Sequence, residues 1–296
     1  MKKKFRGSLY LLLATVIWGS AFIAQSVGMD LVGPITFQAV RCTLAALALL
    51  PVIYLFNPRE FFALWKNPKL WQTGFGCGIA LFLAVNLQQI GIVYTDAGKA
   101  GFITAMYIVL VPVVGLVFRK KPSGSALISI GIAVAGLYLL SCVGVTQINK
   151  GDIFLMGCAL AFAVQITLVD QYAYDLDCLR LNCIQSLVCG ILSFPFMFAL
   201  ETPIVGNILQ CWLPIGYAGI LSMGAAYSLQ ILGQKDLEPT TASLIMSLES
   251  VFAALFGWLI LKETMTLPET LGSLLIFFAV IFSQIPIRKR KNKEVA

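Results

Sequence analysis

Two charged residues lie deep inside otherwise apolar stretches of this sequence, and they are its strongest candidates for chemistry. Glu249 lies about ten residues into the stretch 239–261 and Arg41 about seven residues into the stretch 34–56, so helices would bury both by roughly 10–15 Å. A charge at that depth costs several kcal/mol unless it is paired, hydrated or neutralised. We therefore expect Glu249 to take up a proton or bind a ligand, and Arg41 to pair with Glu249, with backbone carbonyls or with an anion. The structural alternatives are a Glu249 bonded to helix ends or hydroxyls, and an Arg41 that extends to the surface.

Amide and aromatic side chains recur inside other apolar stretches, often at spacings that put two of them on one helix face. Together they favour recognition of a small zwitterionic or amphipathic metabolite over recognition of an inorganic ion. Taken singly, each is equally compatible with a contact between helices. The predicted binding residues are Trp18, Phe22, Asn86, Gln89, Tyr107, Gln165, Tyr227, Gln230 and Glu249.

Several classes of active site are excluded by the residues that are missing. Histidine is absent, which removes His-based catalysis and His metal ligation. The eight cysteines show no metal or redox spacing, and Asp170 is the sole candidate for an intramembrane aspartyl pair. No GxxxxGKS/T nucleotide-binding loop occurs. We expect neither enzyme activity nor a metal or cofactor.

The elements that hold these residues are ten apolar stretches. Of the 296 residues, 59% are hydrophobic and 12% charged, and the mean hydropathy is +0.88, whereas soluble domains carry about 25% charged residues. Windows of about 20 residues predict an all-α integral membrane protein without a soluble domain. The predicted spans are 9–28, 34–56, 71–93, 97–118, 124–142, 152–172, 181–200, 211–234, 239–261 and 267–286.

The distribution of Lys and Arg predicts the orientation. With the N-terminus inside, seventeen of these residues fall on the cytoplasmic side and three, Lys99, Lys150 and Lys262, outside. Cytoplasmic loops are enriched in Lys and Arg, so both termini are predicted to be cytoplasmic, in the plasma membrane of a bacterium. The net charge of +7 is then a topology signal with lipid contact as a second effect, and no nucleic-acid partner is expected for the basic tail 288–293.

The second half of the sequence resembles the first. A shift of 142 residues gives ten identities between positions 74 and 120, where composition alone would give roughly four. Because each half holds an odd number of spans, the second would insert upside-down relative to the first, which is typical of alternating-access transporters. The sequence thus predicts two inverted five-helix repeats, 1–142 and 143–296, around a central cavity. The ten identities are Gly74/Gly216, Ala84/Ala226, Leu87/Leu229, Gln88/Gln230, Gly91/Gly233, Ala100/Ala242, Ile103/Ile245, Val109/Val251, Gly115/Gly257 and Lys120/Lys262.

The stretch Leu248–Ser283, the run Trp18-Gly19-Ser20 with Phe22, Arg41 and the run Thr95–Pro112 resemble the EamA-like family of the drug/metabolite transporter superfamily. The resemblance implies two inverted five-helix repeats and transport of small metabolites, amino acids or drugs. Members of the family commonly have a Glu at the end of the penultimate helix, and the resemblance places it at Glu263; the equivalent position in the first repeat is Lys121. Where the ninth helix of the family often has a Glu-Pro pair, this sequence has Glu249-Ser250.

The leading hypothesis is a secondary transporter that moves a small organic solute across the plasma membrane by alternating access. Coupling to protons through Glu249 is a subsidiary prediction. The alternative is a flippase of a lipid or lipid-linked precursor, with Arg41 or Lys99 as the site for an anionic head group. Import or export, the coupling ion, the substrate and the oligomeric state, including a homodimer, stay open at this point.

Overall fold

The computed structural model describes residues 2–56, 58–59, 61–95, 97–120, 122–141, 149–262 and 265–284, and these are almost entirely helical. Asp96, Lys121, Glu263 and the basic tail 288–293 lie outside the described residues. The helices are α1 (Lys2–Met29), α2 (Pro34–Phe56), α3 (Pro68–Tyr94), α4 (Ala97–Ala105), α5 (Tyr107–Val117), α6 (Gly124–Ser141), α7 (Lys150–Tyr172), α8 (Cys178–Leu200), α9 (Val205–Gln210), α10 (Trp212–Gly216), α11 (Tyr227–Gln234), α12 (Pro239–Met246), α13 (Leu248–Leu261) and α14 (Leu267–Ser283), with a 3-10 turn at Leu64–Lys66 and a π-helical segment at Tyr217–Ala226.

The expected all-α membrane architecture is confirmed. Within the described residues, nine helical stretches are long and apolar enough to cross a membrane, and the shorter apolar helix α14 occupies the tenth predicted span. Three of the spans depart from a single regular helix: the fourth is α4 with α5, the eighth is α10, the π-helical segment and α11, and the ninth is α12 with α13. Large apolar side chains such as Leu55, Val117 and Leu259 are exposed on the outside of the bundle, as a lipid-facing surface requires.

Ion pairs at one end of the bundle and hydrogen bonds at the other connect the ends of different helices. At the N-terminal end Arg6 pairs with Asp236 at 2.9 Å, and Lys120 pairs with Asp170. At the opposite end Glu201 accepts hydrogen bonds from the first backbone amides of α2, at Ile35 and Thr36. The spans therefore alternate in direction, and ten of them bring Lys2 and Gln284 to the same end.

The first helix of each half crosses over to pack against the other half. Helix α7, the first of the second half, packs against α3, α4 and α5, while α1 packs against α11, α12, α13 and the π-helical segment. Helix α2 packs against α8, and α6 against α14. Each of these contacts joins one half to the other, so the interior of the bundle lies between the halves.

Glycines permit two of these contacts to be very close. A Cβ added at Gly91 of α3 would lie 3.2 Å from the carbonyl oxygen of Gly151 in α7, and one added at Gly151 would lie 2.7 Å from that of Gly91. Gly233 of α11 and Gly7 of α1 face each other in the same way. A Cβ added at Gly233 would lie 2.8 Å from the carbonyl oxygen of Gly7, and one added at Gly7 would lie 2.9 Å from that of Gly233. Small residues allow helix backbones to approach in membranes, where apolar burial between helices gives little driving force. Gly91 and Gly233 are related by the 142-residue shift.

Candidate functional site

A central cavity lies where the two halves meet. It contains about 480 Å³ of unfilled space, its mouth included. Its wall combines aromatic rings, three glutamines and two opposite charges, a mixture suited to a small polar organic molecule. The lining residues are Trp18, Phe22, Gln25, Arg41, Gln88, Tyr107, Phe162, Ile166, Ser222, Tyr227, Gln230, Met246 and Glu249.

Interruptions in the fourth and ninth spans position two of these residues. Met106 separates α4 from α5, and Ser247 separates α12 from α13; both keep right-handed backbone angles, with φ −60°, ψ −10° and φ −63°, ψ −13°. The interruptions are thus local tightenings of the helix rather than unwound segments. Tyr107 is the first residue of α5, and Glu249 lies in the first turn of α13, so both lie beside an interruption.

Glu249 is held by a tyrosine from the other half. The hydroxyl of Tyr107 donates to its Oε1 at 3.2 Å, and the exposed fractions of the two side chains are only 4% and 8% for Tyr107 and Glu249. Phe162 packs edge-on against the Tyr107 ring, at 6.3 Å between ring centres. Among the described residues Glu249 makes no ion pair, so the carboxylate can be satisfied by a proton or by a cationic group in the cavity.

Arg41 supplies the positive charge of the wall. Its Nε donates to Oε1 of Gln38 at 2.6 Å, and its guanidinium lies over the ring of Phe37, 5.7 Å from the ring centre. Gln38 in turn donates to Gln89 Oε1 and to the Val85 carbonyl, both at 3.0 Å. These contacts fix the guanidinium on one side, while its NH1 has no hydrogen-bond partner within the described chain. Arg41 is 3% exposed and so does not extend to the surface.

Four lining residues carry buried polar atoms that lack a partner in the described part of the chain. Two are donors, Nε1 of Trp18 and NH1 of Arg41, and two are acceptors, Oε1 of Gln25 and Oε1 of Gln230. Buried polar groups are rarely left unpaired in folded proteins, because each costs about 1–3 kcal/mol. Water molecules or a solute that both donates and accepts hydrogen bonds could satisfy this group of four.

The π-helical segment brings further residues to the wall. Ser222 lies within it and Tyr227 directly follows it, with the Tyr227 ring 5.0 Å from that of Trp18. Segments of π-helix are rare and are often found at functional sites. The corresponding part of the first half, in α3, is regular α-helix.

The structure brings seven of the predicted site residues together and places three behind the wall. Trp18, Phe22, Arg41, Tyr107, Tyr227, Gln230 and Glu249 line the cavity. Asn86 instead bonds to Ser193 Oγ at 3.0 Å, and Gln89 and Gln165 bond to other buried amides. The lining residues missing from the predicted set are Gln25, Gln88, Phe162, Ile166, Ser222 and Met246.

Two larger cavities lie beyond the central one, one toward each end of the bundle. The cavity at the N-terminal end includes Lys120 and Asp170, and the one at the opposite end includes Asp30 and Glu201. Ser26 lies in this second cavity, next in sequence to Gln25 of the central wall. Lys99 forms an ion pair with Asp152 at 2.6 Å and is not among the residues of the central wall.

Comparison with known proteins yields a family, several relatives and a fold. The sequence matches the EamA-like transporter family over residues 5–142 and 149–284. An uncharacterized transporter of Archaeoglobus fulgidus is 33% identical over 288 residues, 96% of this chain and 88% of the relative. The threonine/homoserine exporter RhtA of Escherichia coli (strain K12) is 29% identical over 293 residues, 94% of this chain and 91% of RhtA. A protein of known crystal structure superposes with a TM-score of 0.78 at 14% identity, over 94% of this chain and 96% of that one, which indicates the same fold.

Proposed function

The chain belongs to the EamA-like transporter family, and from this premise we propose that it carries a small zwitterionic solute of the amino acid class across the membrane by alternating access. The family is one of transporters, and the relatives reported above are named as transporters or exporters. The chain is therefore a membrane transporter rather than an enzyme. The solute class, the mechanism and the coupling are the content of the proposal.

The observation that carries the solute class is the pair of opposite charges on one cavity wall. Arg41 offers an unpartnered guanidinium nitrogen, which suits a carboxylate. Glu249 offers a carboxylate without an ion pair in the described residues, which suits an ammonium group. An α-amino acid carries both groups, and a side-chain hydroxyl would meet the remaining donors and acceptors. RhtA, which is named for threonine and homoserine, is consistent with this class.

Three observations support alternating access by inverted halves, divided as 1–142 and 143–296. The halves align at a shift of 142 residues, and the cavity lies between them, with further cavities toward each end. Residues related by the shift occur at corresponding places, since Gln88 and Gln230 both line the cavity and Gly91 and Gly233 both make close glycine contacts. Inverted repeats around a midplane site allow one set of contacts to open either end.

The helix packing suggests which parts would move. Because α7 packs on the third and fourth spans and α1 on the eighth and ninth, we expect these two groups of three spans to act as the moving bodies. Glu249 and Tyr107 belong to different groups, so their hydrogen bond crosses the boundary. Protonation of Glu249 would change its hydrogen bond with Tyr107 and would also remove the free-energy cost of burying a charged carboxylate. Proton coupling, cytoplasmic termini and a bacterial plasma membrane complete the proposal.

A thermal-shift screen of the purified protein tests the solute class. L-Threonine and L-homoserine should raise the melting temperature of the wild-type protein; the rise should be lost in Arg41→Met and reduced in Glu249→Gln. Stabilisation by a lipid-linked precursor, with no response to any amino acid, would favour the flippase function instead.

A further inference from the structure

A line of buried amides leads from the cavity into α8. Gln230 of the cavity wall donates from Nε2 to Oε1 of Gln165 at 3.1 Å, and Gln165 donates from Nε2 to Oε1 of Gln185 at 3.2 Å. Gln185 donates from Nε2 to Oδ1 of Asn182 at 2.9 Å. Gln230 is 2% exposed and the other three are fully buried. We call Asn182, Gln185, Gln165 and Gln230 the amide relay.

Backbone carbonyls fix the far end of the amide relay. Nδ2 of Asn182 lies 3.0 Å from the carbonyl oxygen of Met223 and 2.8 Å from that of Gly224, both in the π-helical segment. An amide side chain has nearly the same shape in its two orientations, so its hydrogen-bond partners decide which orientation it takes. A carbonyl oxygen only accepts hydrogen bonds. Asn182 must therefore turn its NH₂ toward the π-helical segment and its oxygen toward Gln185.

This orientation is transmitted from one amide to the next. The oxygen of Asn182 requires a donor from Gln185, whose own oxygen then faces Gln165, and the same reasoning leads to Gln230. The NH₂ of Gln230 is also held by Oε1 of Gln234, at 2.9 Å, and Gln234 is itself anchored because it donates to the Ile166 carbonyl at 2.9 Å. Both N–H groups of Gln230 are thus engaged, and its Oε1 has no partner in the described residues.

We propose that the amide relay holds Gln230 as a hydrogen-bond acceptor at the cavity, so that the site selects solutes with a hydroxyl or ammonium donor at this position. Asn182, Gln185 and Gln165 are positioning residues that act through Gln230. The proposal rests on the proposed function, because it specifies the solute chemistry of the same cavity. A solute without that donor leaves a buried acceptor unpaired, which binding sites discriminate against more strongly than a small change in apolar size.

Melting temperatures test whether the amide relay acts as a unit, without any solute. Asn182→Leu and Gln165→Met each break it, so the double variant should lose clearly less stability than the sum of the single losses. Thr167→Val is the control: its hydroxyl bonds within α7, to the Ala163 carbonyl at 2.7 Å, and its loss should add to that of Asn182→Leu. If Asn182→Leu fails to fold, Gln185→Met breaks the next bond and replaces it. Additive losses for the two relay variants would overturn the relay.

Binding of L-homoserine, of its O-methyl ether and of its N,N,N-trimethyl derivative, which has no N–H donor, tests the selectivity. In the wild-type protein, blocking one of the two donors should weaken binding about tenfold, the effect of one lost hydrogen bond. This penalty should shrink in Asn182→Leu and in Gln165→Met and persist in Thr167→Val. Equal penalties in all four proteins would overturn the proposal. Failure of the wild-type protein to bind L-homoserine or any other amino acid would instead contradict the proposed solute class, while the melting temperatures still decide the relay.

Discussion

The hydroxyl of Tyr107 lies 3.2 Å from Oε1 of Glu249, and the two residues are 142 positions apart in the chain. The same separation aligns the two halves of the sequence, so equivalent positions of the halves touch each other beside the cavity. In an inverted repeat, equivalent residues meet only on the axis that relates the halves. Under the proposed alternating access between inverted halves, the Tyr107–Glu249 contact would lie on that axis, where opening of one end and closing of the other are coupled.

Removal of this bond should affect solute binding more than folding. Tyr107→Phe keeps the ring that packs against Phe162 but removes the hydroxyl. We expect the transport KM to change roughly 2- to 10-fold, because one hydrogen bond contributes about 0.5–1.5 kcal/mol. The melting temperature should change little. A Tyr107→Phe protein with wild-type KM and kcat would show that this contact has no part in transport.

Neutralisation of Glu249 should separate transport from the proton gradient. Glu249→Gln keeps the shape and mimics the protonated carboxyl, so exchange of labelled for unlabelled solute should continue with altered affinity. Uptake or efflux driven by a pH gradient should be abolished, because the site no longer gains and loses a proton. Glu269→Gln, at the exposed first turn of α14, is the matched control. Gradient-driven transport by Glu249→Gln with its full pH dependence would contradict proton coupling at this residue.

Substitution of Arg41 should matter most for solutes that carry a carboxylate. Hydrogen bonds to charged groups contribute about 1.5–3 kcal/mol, so Arg41→Met should weaken binding of L-threonine about 10- to 100-fold. Arg41→Lys should restore little of it, since a lysine lacks the planar set of donors that the Gln38 contact orients. Threoninamide, which has no carboxylate, should lose much less affinity. Equal losses for the acid and the amide, measured by calorimetry, would mean that Arg41 only supports the fold.

Alanine substitutions distinguish the glycines that bring helices together from those that do not. A Cβ at Gly91 would lie 2.6 Å from Leu155 Cγ, whereas a Cβ at Gly131 meets no atom within 4 Å. Gly91→Ala should destabilise the protein by about 1–3 kcal/mol, as overpacking does. Gly131→Ala should be neutral or stabilise α6 by up to about 1 kcal/mol. Thermal unfolding in one detergent measures both, and equal stabilities would refute the close α3–α7 contact.

The sequence predicted the spans and the two charged residues because hydropathy and the cost of buried charge are both visible in it. The 142-residue shift also paired Tyr107 with the position of Glu249, and the structure shows them in contact. The sequence does not show whether a polar residue lines the cavity or lies behind the residues that do, because helical spacing tells only which side of the helix a residue is on. Gln89 and Gln165 lie behind the lining residues, where they bond to other buried amides. The π-helical segment could not be predicted from its own residues. The carbonyl oxygens of Met223 and Gly224 within it accept hydrogen bonds from Asn182, which is more than 40 residues away in the sequence.

Solute flux in proteoliposomes tests the central claim most directly. The purified wild-type protein should move labelled L-threonine or L-homoserine with saturable kinetics, and excess unlabelled solute on the opposite side should accelerate the exchange. Arg41→Met should lower this flux by at least about tenfold at a fixed low solute concentration, whereas Thr167→Val, outside the cavity wall, should match the wild-type protein. Flux that does not saturate, or that is the same in Arg41→Met and the wild-type protein, would contradict transport of a zwitterion through the central cavity.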